Sequence, residues 1–192
     1  FHGDAKWIRD LGWDLVIAHP PCTYLSNAGV MWLSRDPSRR GKVASAARVY
    51  RQWRSSLAPF VVVENPKMHG LGSELTRKSK IQYVHPWQHG TGHTKPTGLE
   101  YVCDESVATP LQPLVPTREV EGREHAMANL SESPQRASLR SQSYVGIWAA
   151  AAAQWIPTVA DHLCQTQSDA VRPAASELVH RAAAYKHVQA AK

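Results

Sequence analysis

Cysteine is scarce and scattered: Cys22, Cys103 and Cys164 lie far apart, are odd in number and form no CxxC pair. That usage supplies neither a disulfide framework nor a zinc knuckle, and it fits a reducing intracellular compartment, cytoplasm or organelle matrix. No apolar run approaches the roughly 20 residues that a bilayer-spanning helix requires, so no membrane segment is expected. Internal repeats are absent too, which argues against solenoids and propellers. Acidic residues are outnumbered, 16 Asp and Glu against 22 Lys and Arg, giving a formal net charge of +6 and a pI near 9.4. Such a balance mildly favours an anionic partner such as nucleic acid. With 192 residues, 43% of them hydrophobic, the chain has room for one well-buried domain and an appendage.

Two apolar runs organise what is present. Leu15-Val16-Ile17-Ala18 has strand length and stops at His19-Pro20-Pro21-Cys22. The prolines lack N–H donors and fix φ, so the chain must leave the sheet as a stiff loop that presents Cys22. Phe60-Val61-Val62-Val63 is the second run, ended by Glu64-Asn65-Pro66. Between them Val43, Ala46, Ala47, Tyr50, Trp53 and Leu57 recur at helical spacing, which predicts a helix over Lys42 to Leu57. Strand, loop, helix, strand is a crossover unit. It predicts parallel strands whose carboxyl ends share one edge of the sheet, where α/β folds place their ligands. Asn27 to Arg40, with a basic cluster at Arg35, Arg39 and Arg40, reads as a long mobile or substrate-facing loop.

Further along, a short helix is expected between Gly70 and Lys80, and a strand at Ile81 to Val84. Leu99 to Cys103 reads as a strand that turns back on its neighbour, giving an otherwise mostly parallel sheet an antiparallel edge. Tyr144 to Trp155 reads as an alanine-rich helix that closes a domain of residues 1–157. Residues 158–192 shift to Ala, His and Gln and form a C-terminal extension with helical character.

Cys22 and Glu64 are the candidate catalytic pair. Alone, a cysteine is commonly a small buried hydrophobe and a glutamate an ordinary surface or capping acid. Together on one sheet edge they gain chemical sense: a thiolate is a soft nucleophile, and a carboxyl kept protonated by burial polarises the heteroaromatic ring it attacks. His85, His89 and His93 recur at every fourth position, but Pro86, Gly90 and Gly92 oppose a helix there. They read as a polar loop, and no metal is assigned. Lys95 is a candidate phosphate contact or a solvated lysine, and Arg136 and Arg140, four apart, are a candidate nucleic-acid backbone face or a solvated helix face.

HPPCTYLSNAG, then VVVENPKMHG, HPWQHGTGHTKPTGLEY and RSQSYVGIWAAAAAQW together resemble the small phage-type DNA (cytosine-5) methyltransferases, from about Gly3 to Trp155. The resemblance implies part of a Rossmann-like methyltransferase sheet and S-adenosylmethionine as methyl donor. It makes Cys22 the nucleophile at C6 of a flipped cytosine and Glu64 its acidic partner, with Pro20, Pro21, Asn65 and Pro66 shaping the loops. It also implies that the strands holding most of the cofactor lie upstream of Phe1. Asp4 is then a weak candidate for touching the adenine, a turn aspartate being the plainer reading. The alternative expectation is a relative that has lost catalysis and serves as a structural subunit of a ribosome or organellar complex. DNA would be the partner of the enzyme; RNA or protein subunits would be partners of the structural relative.

Overall fold

The computed structural model describes residues 6–9, 11–103, 110–114, 133 and 144–166. Elements follow in the order α1 (Lys6–Arg9), β1 (Leu15–Ala18), α2 (Trp32–Arg35), α3 (Arg39–Arg54), β2 (Phe60–Pro66), α4 (Gly70–Thr76), β3 (Ile81–Val84), β4 (Thr97–Val102) and α5 (Val145–Thr166). Short 3-10 turns at Asn27–Gly29 and Pro86–His89 complete the described elements. The stretch expected as one long loop before α3 thus contains a 3-10 turn and a helical turn, and α3 begins at Arg39.

The four strands form one mixed sheet in the order β1-β2-β4-β3. β1 and β2 are parallel, with Leu15 opposite Phe60 and Ala18 opposite Val63. β4 is antiparallel to both β2 and β3. The expected sheet, mostly parallel with the reversed strand at its edge, is therefore corrected: among the described residues one pair is parallel, and the reversed strand lies inside. Burial supplies the reason. Thr97, Gly98, Leu99 and Glu100 of β4 are all buried, whereas β3 is buried only at Val84, so β3 takes the exposed edge. Gly98 makes the interior position sterically possible, since a Cβ there would come within 3.0 Å of both the Asn65 carbonyl oxygen and the Ile81 side chain.

Alternation along the strands builds two apolar layers. Val16 and Ala18 of β1 and Val61 and Val63 of β2 pack with Val43, Ala46, Ala47 and Tyr50 of α3, and with Leu71 and Leu75 of α4. On the opposite face Val62 and Leu99 pack with Ile147, Ala150, Ala151 and Trp155 of α5. Leu57, grouped with the α3 stripe by spacing, lies beyond the helix and is 81% exposed.

Helix α5 runs past Trp155 and Pro157 to Thr166, and Val159 is buried against Phe60. Residues 158–166 thus continue the helix that covers the sheet, and 167–192 lie outside the described residues. At its other end α5 presses on the loop before β4: a Cβ at Gly146 would collide with the His89 carbonyl oxygen, so only glycine permits this approach. Inside the α3 layer, fully buried Glu100 accepts from the Tyr50 hydroxyl at 2.7 Å and from the Ser79 amide at 2.6 Å. Its second contact with Ser79, through the hydroxyl, is 3.0 Å, and Arg54 Nε stands at 3.3 Å. This carboxylate ties α3, β4 and the segment before β3 into one unit.

Candidate active site

The register that pairs Ala18 with Val63 brings the next two residues, His19 and Glu64, side by side at the carboxyl ends of the parallel strands. His19 Nδ1 lies 3.1 Å from Glu64 Oε2, and the side chains are 20% and 17% exposed. Glu64 Oε1 accepts a hydrogen bond from the Thr97 hydroxyl. Thr97 sits opposite Pro66, two residues beyond Glu64 on the neighbouring strand, so it reaches the carboxylate diagonally. The far side of His19 meets Trp148 of α5 edge-on, with ring centroids 4.6 Å apart and planes inclined by 76°. One carboxylate is thereby held by the ends of β1 and β4, and its histidine is backed by α5. An imidazole oriented through Nδ1 by a carboxylate turns its Nε2 edge outward, an arrangement suited to passing protons. For Glu64 to bind a heteroaromatic ring, one of its present partners must yield an oxygen.

The Cys22 loop is fixed by a separate set of bonds. Pro20 is buried and Pro21 exposed, and the Asn65 side-chain amide donates to the Pro20 carbonyl at 3.3 Å. Cys22 is half-buried and forms no disulfide, and its own carbonyl accepts from the Leu25 and Ser26 amides at 3.0 and 2.9 Å, closing a tight turn. Ser26 then pairs with Met68 in a short antiparallel bridge, flanked by Asn27 N to Lys67 O and His69 N to Leu25 O. His69 locks the pairing: its Nδ1 accepts from the Gly72 amide at 3.0 Å, which leaves Nε2 as the donor to the Tyr24 carbonyl at 2.8 Å. The loop after β1, which carries Cys22, is therefore stitched to the segment that follows β2, the strand that carries Glu64. Asn65, 4% exposed, keeps its Oδ1 buried without a hydrogen-bond partner.

Of the residues singled out by sequence, Cys22, Glu64, Pro20, Pro21, Asn65 and Pro66 all belong to this edge. The side chain that meets Glu64 across the parallel pair is His19. Lys95 is half-buried in the loop leading into β4, two residues before Thr97. Asp4, Arg136 and Arg140 lie outside the described residues. His85, His89 and His93 diverge: His85 faces the Thr94 carbonyl at 3.3 Å, His89 is buried, and the His93 ring lies 5.2 Å from that of Tyr144. Among the described residues no group of three or more His, Cys, Asp or Glu is arranged to hold a metal ion. Burial drives the His89 pKa below its ordinary value, and both of its ring nitrogens lack a hydrogen-bond partner.

His19, Thr97 and Trp148 were not singled out by sequence. His19 had a signal, since both apolar runs are four residues long and their in-register alignment sets His19 against Glu64. Thr97 and Trp148 reach the site only through the β2–β4 pairing and the seat of α5.

Comparison with family models, with curated proteins and with solved structures returns no match. Among the described residues no helix is long and apolar enough to cross a membrane. For S-adenosylmethionine the described site residues do not fit a holding role. They converge on Glu64 and on the Cys22 turn, and Asp4, the residue linked to the adenine by resemblance, is outside them.

Proposed function

We propose that this chain carries the cytosine-handling part of a DNA (cytosine-5) methyltransferase-like protein, with Cys22 as nucleophile and Glu64 as the group that engages the ring. The carrying observation is the shared edge. Cys22 lies on a loop stitched to the segment after β2, and Glu64 stands at the parallel strand's end between His19 and Thr97. The sequence resemblance motivates the choice of cytosine, and a cysteine and a held carboxylate on the loop and strand at one edge of the sheet support it.

The Cys22 thiolate forms a bond to C6 of an unstacked cytosine, and the electron pair of the C5=C6 bond moves to C5. Glu64, with His19 as its proton-bearing neighbour, engages N3 and the exocyclic amine as charge enters the ring. In the absence of a methyl donor C5 takes a proton from water. Loss of the original C5 proton and expulsion of the thiolate then regenerate cytosine, with solvent hydrogen at C5.

That exchange provides the test. The 192-residue chain is incubated with DNA carrying tritium at cytosine C5, and release of tritium to water is followed with and without S-adenosylmethionine. The expected result is release that Cys22→Ser abolishes and Glu64→Gln reduces at least 100-fold, on the order of what one lost charge-stabilising donor costs. Release equal in wild type and Cys22→Ser, or no release under either condition, overturns the proposal and leaves the structural-subunit alternative.

A further inference from the structure

The segment leaving the Cys22 loop displays three consecutive large apolar side chains, Val30, Met31 and Trp32, exposed by 47%, 54% and 47%. Single exposed hydrophobics are ordinary, but three in succession on one turn leave apolar surface open to a partner. One cation adjoins Trp32, and two more adjoin Tyr24 on the Cys22 loop. The Arg35 guanidinium lies 5.4 Å from the Trp32 ring centroid, and Arg39 and Lys42 lie 4.9 and 5.9 Å from that of Tyr24. From Val30 to Lys42 the chain holds Arg35, Arg39, Arg40 and Lys42 against Asp36 alone, a net of +3 from four positive charges less one negative, half of the whole chain's +6. The one acid is otherwise engaged: Asp36 Oδ1 accepts from the Ser38 amide at 3.0 Å and its hydroxyl at 2.6 Å.

Position decides which partner such a surface suits. Arg39 donates to the Thr23 carbonyl at 3.2 Å, so the basic start of α3 is bound directly to the turn that carries Cys22. Aromatic rings with cations beside them accept a flat π-system on a free face, while neighbouring arginines neutralise phosphates. We propose that Val30–Trp32 with Arg35 and Arg40 forms a nucleic-acid platform, where the backbone lies against the arginines and an unpaired base stacks on the Trp32 indole. Choosing DNA as the strand rests on the cytosine role proposed for Cys22. The platform itself is read by binding, independently of any chemistry at C5.

The experiment is fluorescence anisotropy of the full chain with two labelled 20-base-pair DNA duplexes, one fully paired and one with a single unpaired cytosine, across a sodium chloride series. Trp32→Ala should weaken binding to the unpaired-base duplex by roughly 5- to 150-fold, the range for one lost base–aromatic stack, and affect the paired duplex less. Arg35→Gln with Arg40→Gln should lower the slope of log affinity against log salt by about 1.8, close to 0.9 for each phosphate contact. All three side chains are exposed, and circular dichroism melting checks that the variants stay folded. Affinity that neither change alters, no binding to either duplex, or Trp32-dependent binding to phosphatidylserine vesicles with none to DNA would each overturn the platform. Tritium exchange that fails while the variants still shift DNA affinity removes the cytosine role and leaves the platform standing. Exchange that proceeds with affinity insensitive to the variants does the reverse.

Discussion

Removing one oxygen atom from the core, by Tyr50→Phe, tests how the sheet is joined to the helix behind it. Tyr50 and Glu100 are both fully buried, and the phenol donates to Glu100 Oε2 at 2.7 Å. Phenylalanine keeps the ring packing, so no cavity beyond one oxygen is made. The loss is a charge-assisted hydrogen bond inside the core, for which about 1.5–3 kcal/mol is expected. Glu100 retains the Ser79 and Arg54 contacts on its other oxygen, which argues for about 2 kcal/mol rather than the larger cost of an unpaired buried charge. For a chain of this size that corresponds to a Tm lower by roughly 4–8 °C. The direct assay is urea unfolding at pH 7, where the midpoint should fall with the m-value unchanged. Burial and the nearby Glu100 carboxylate raise the Tyr50 pKa far above its ordinary value. The unfolded chain therefore loses that proton first as pH climbs past about 10, and the folded state is destabilised from there upward. The wild-type advantage over Tyr50→Phe should be full below pH 10 and shrink above it. A difference under about 0.5 kcal/mol at pH 7, or a gap that widens with rising pH, would refute this account of the core.

Two further outcomes concern the site and the loop behind it. Thr97→Val and His19→Ala each strip one partner from Glu64, and tritium exchange per folded molecule should fall about 10- to 100-fold in each, with His19→Gln recovering part of it by restoring a donor; equal loss in the glutamine and alanine variants would contradict a positioning role. His89 is buried with its pKa lowered by desolvation and no partner on either ring nitrogen. Below about pH 6.5 the unfolded chain takes up a proton that the folded chain refuses, so wild-type stability should decline as pH falls. His89→Leu should be as stable as wild type or more so at pH 7 and should lose its share of that decline in urea titrations, whereas an unchanged pH slope would show that His89 does not carry it.

Much of the scaffold was legible because periodicity reports burial. The uninterrupted apolar runs at 15–18 and 60–63 could be satisfied only in a covered sheet, and the stripe from Val43 to Trp53 only as a helix on that sheet. The prolines after Ala18 told where β1 must yield to loop, whereas β2 runs past the expected stop at Glu64 to Pro66 because β4 pairs with those residues. Strand order was not legible. An apolar strand looks the same at an edge or in the interior, and β4 went inside because Gly98 lets it pass close to Asn65 and Ile81 while both of its faces are buried.

Local chemistry in the sequence determined that a thiol would follow the end of β1 and a carboxylate the apolar run of β2, since proline placement and hydrophobic runs act over a few neighbouring residues. What surrounds that carboxylate was decided only in three dimensions. His19 lies 45 residues from Glu64 and Thr97 33 residues away, and Trp148 comes from a helix that packs on the opposite side of the sheet from α3. Contacts at such separations depend on register, strand order and helix seating, which are properties of the whole packed chain and of no single stretch within it.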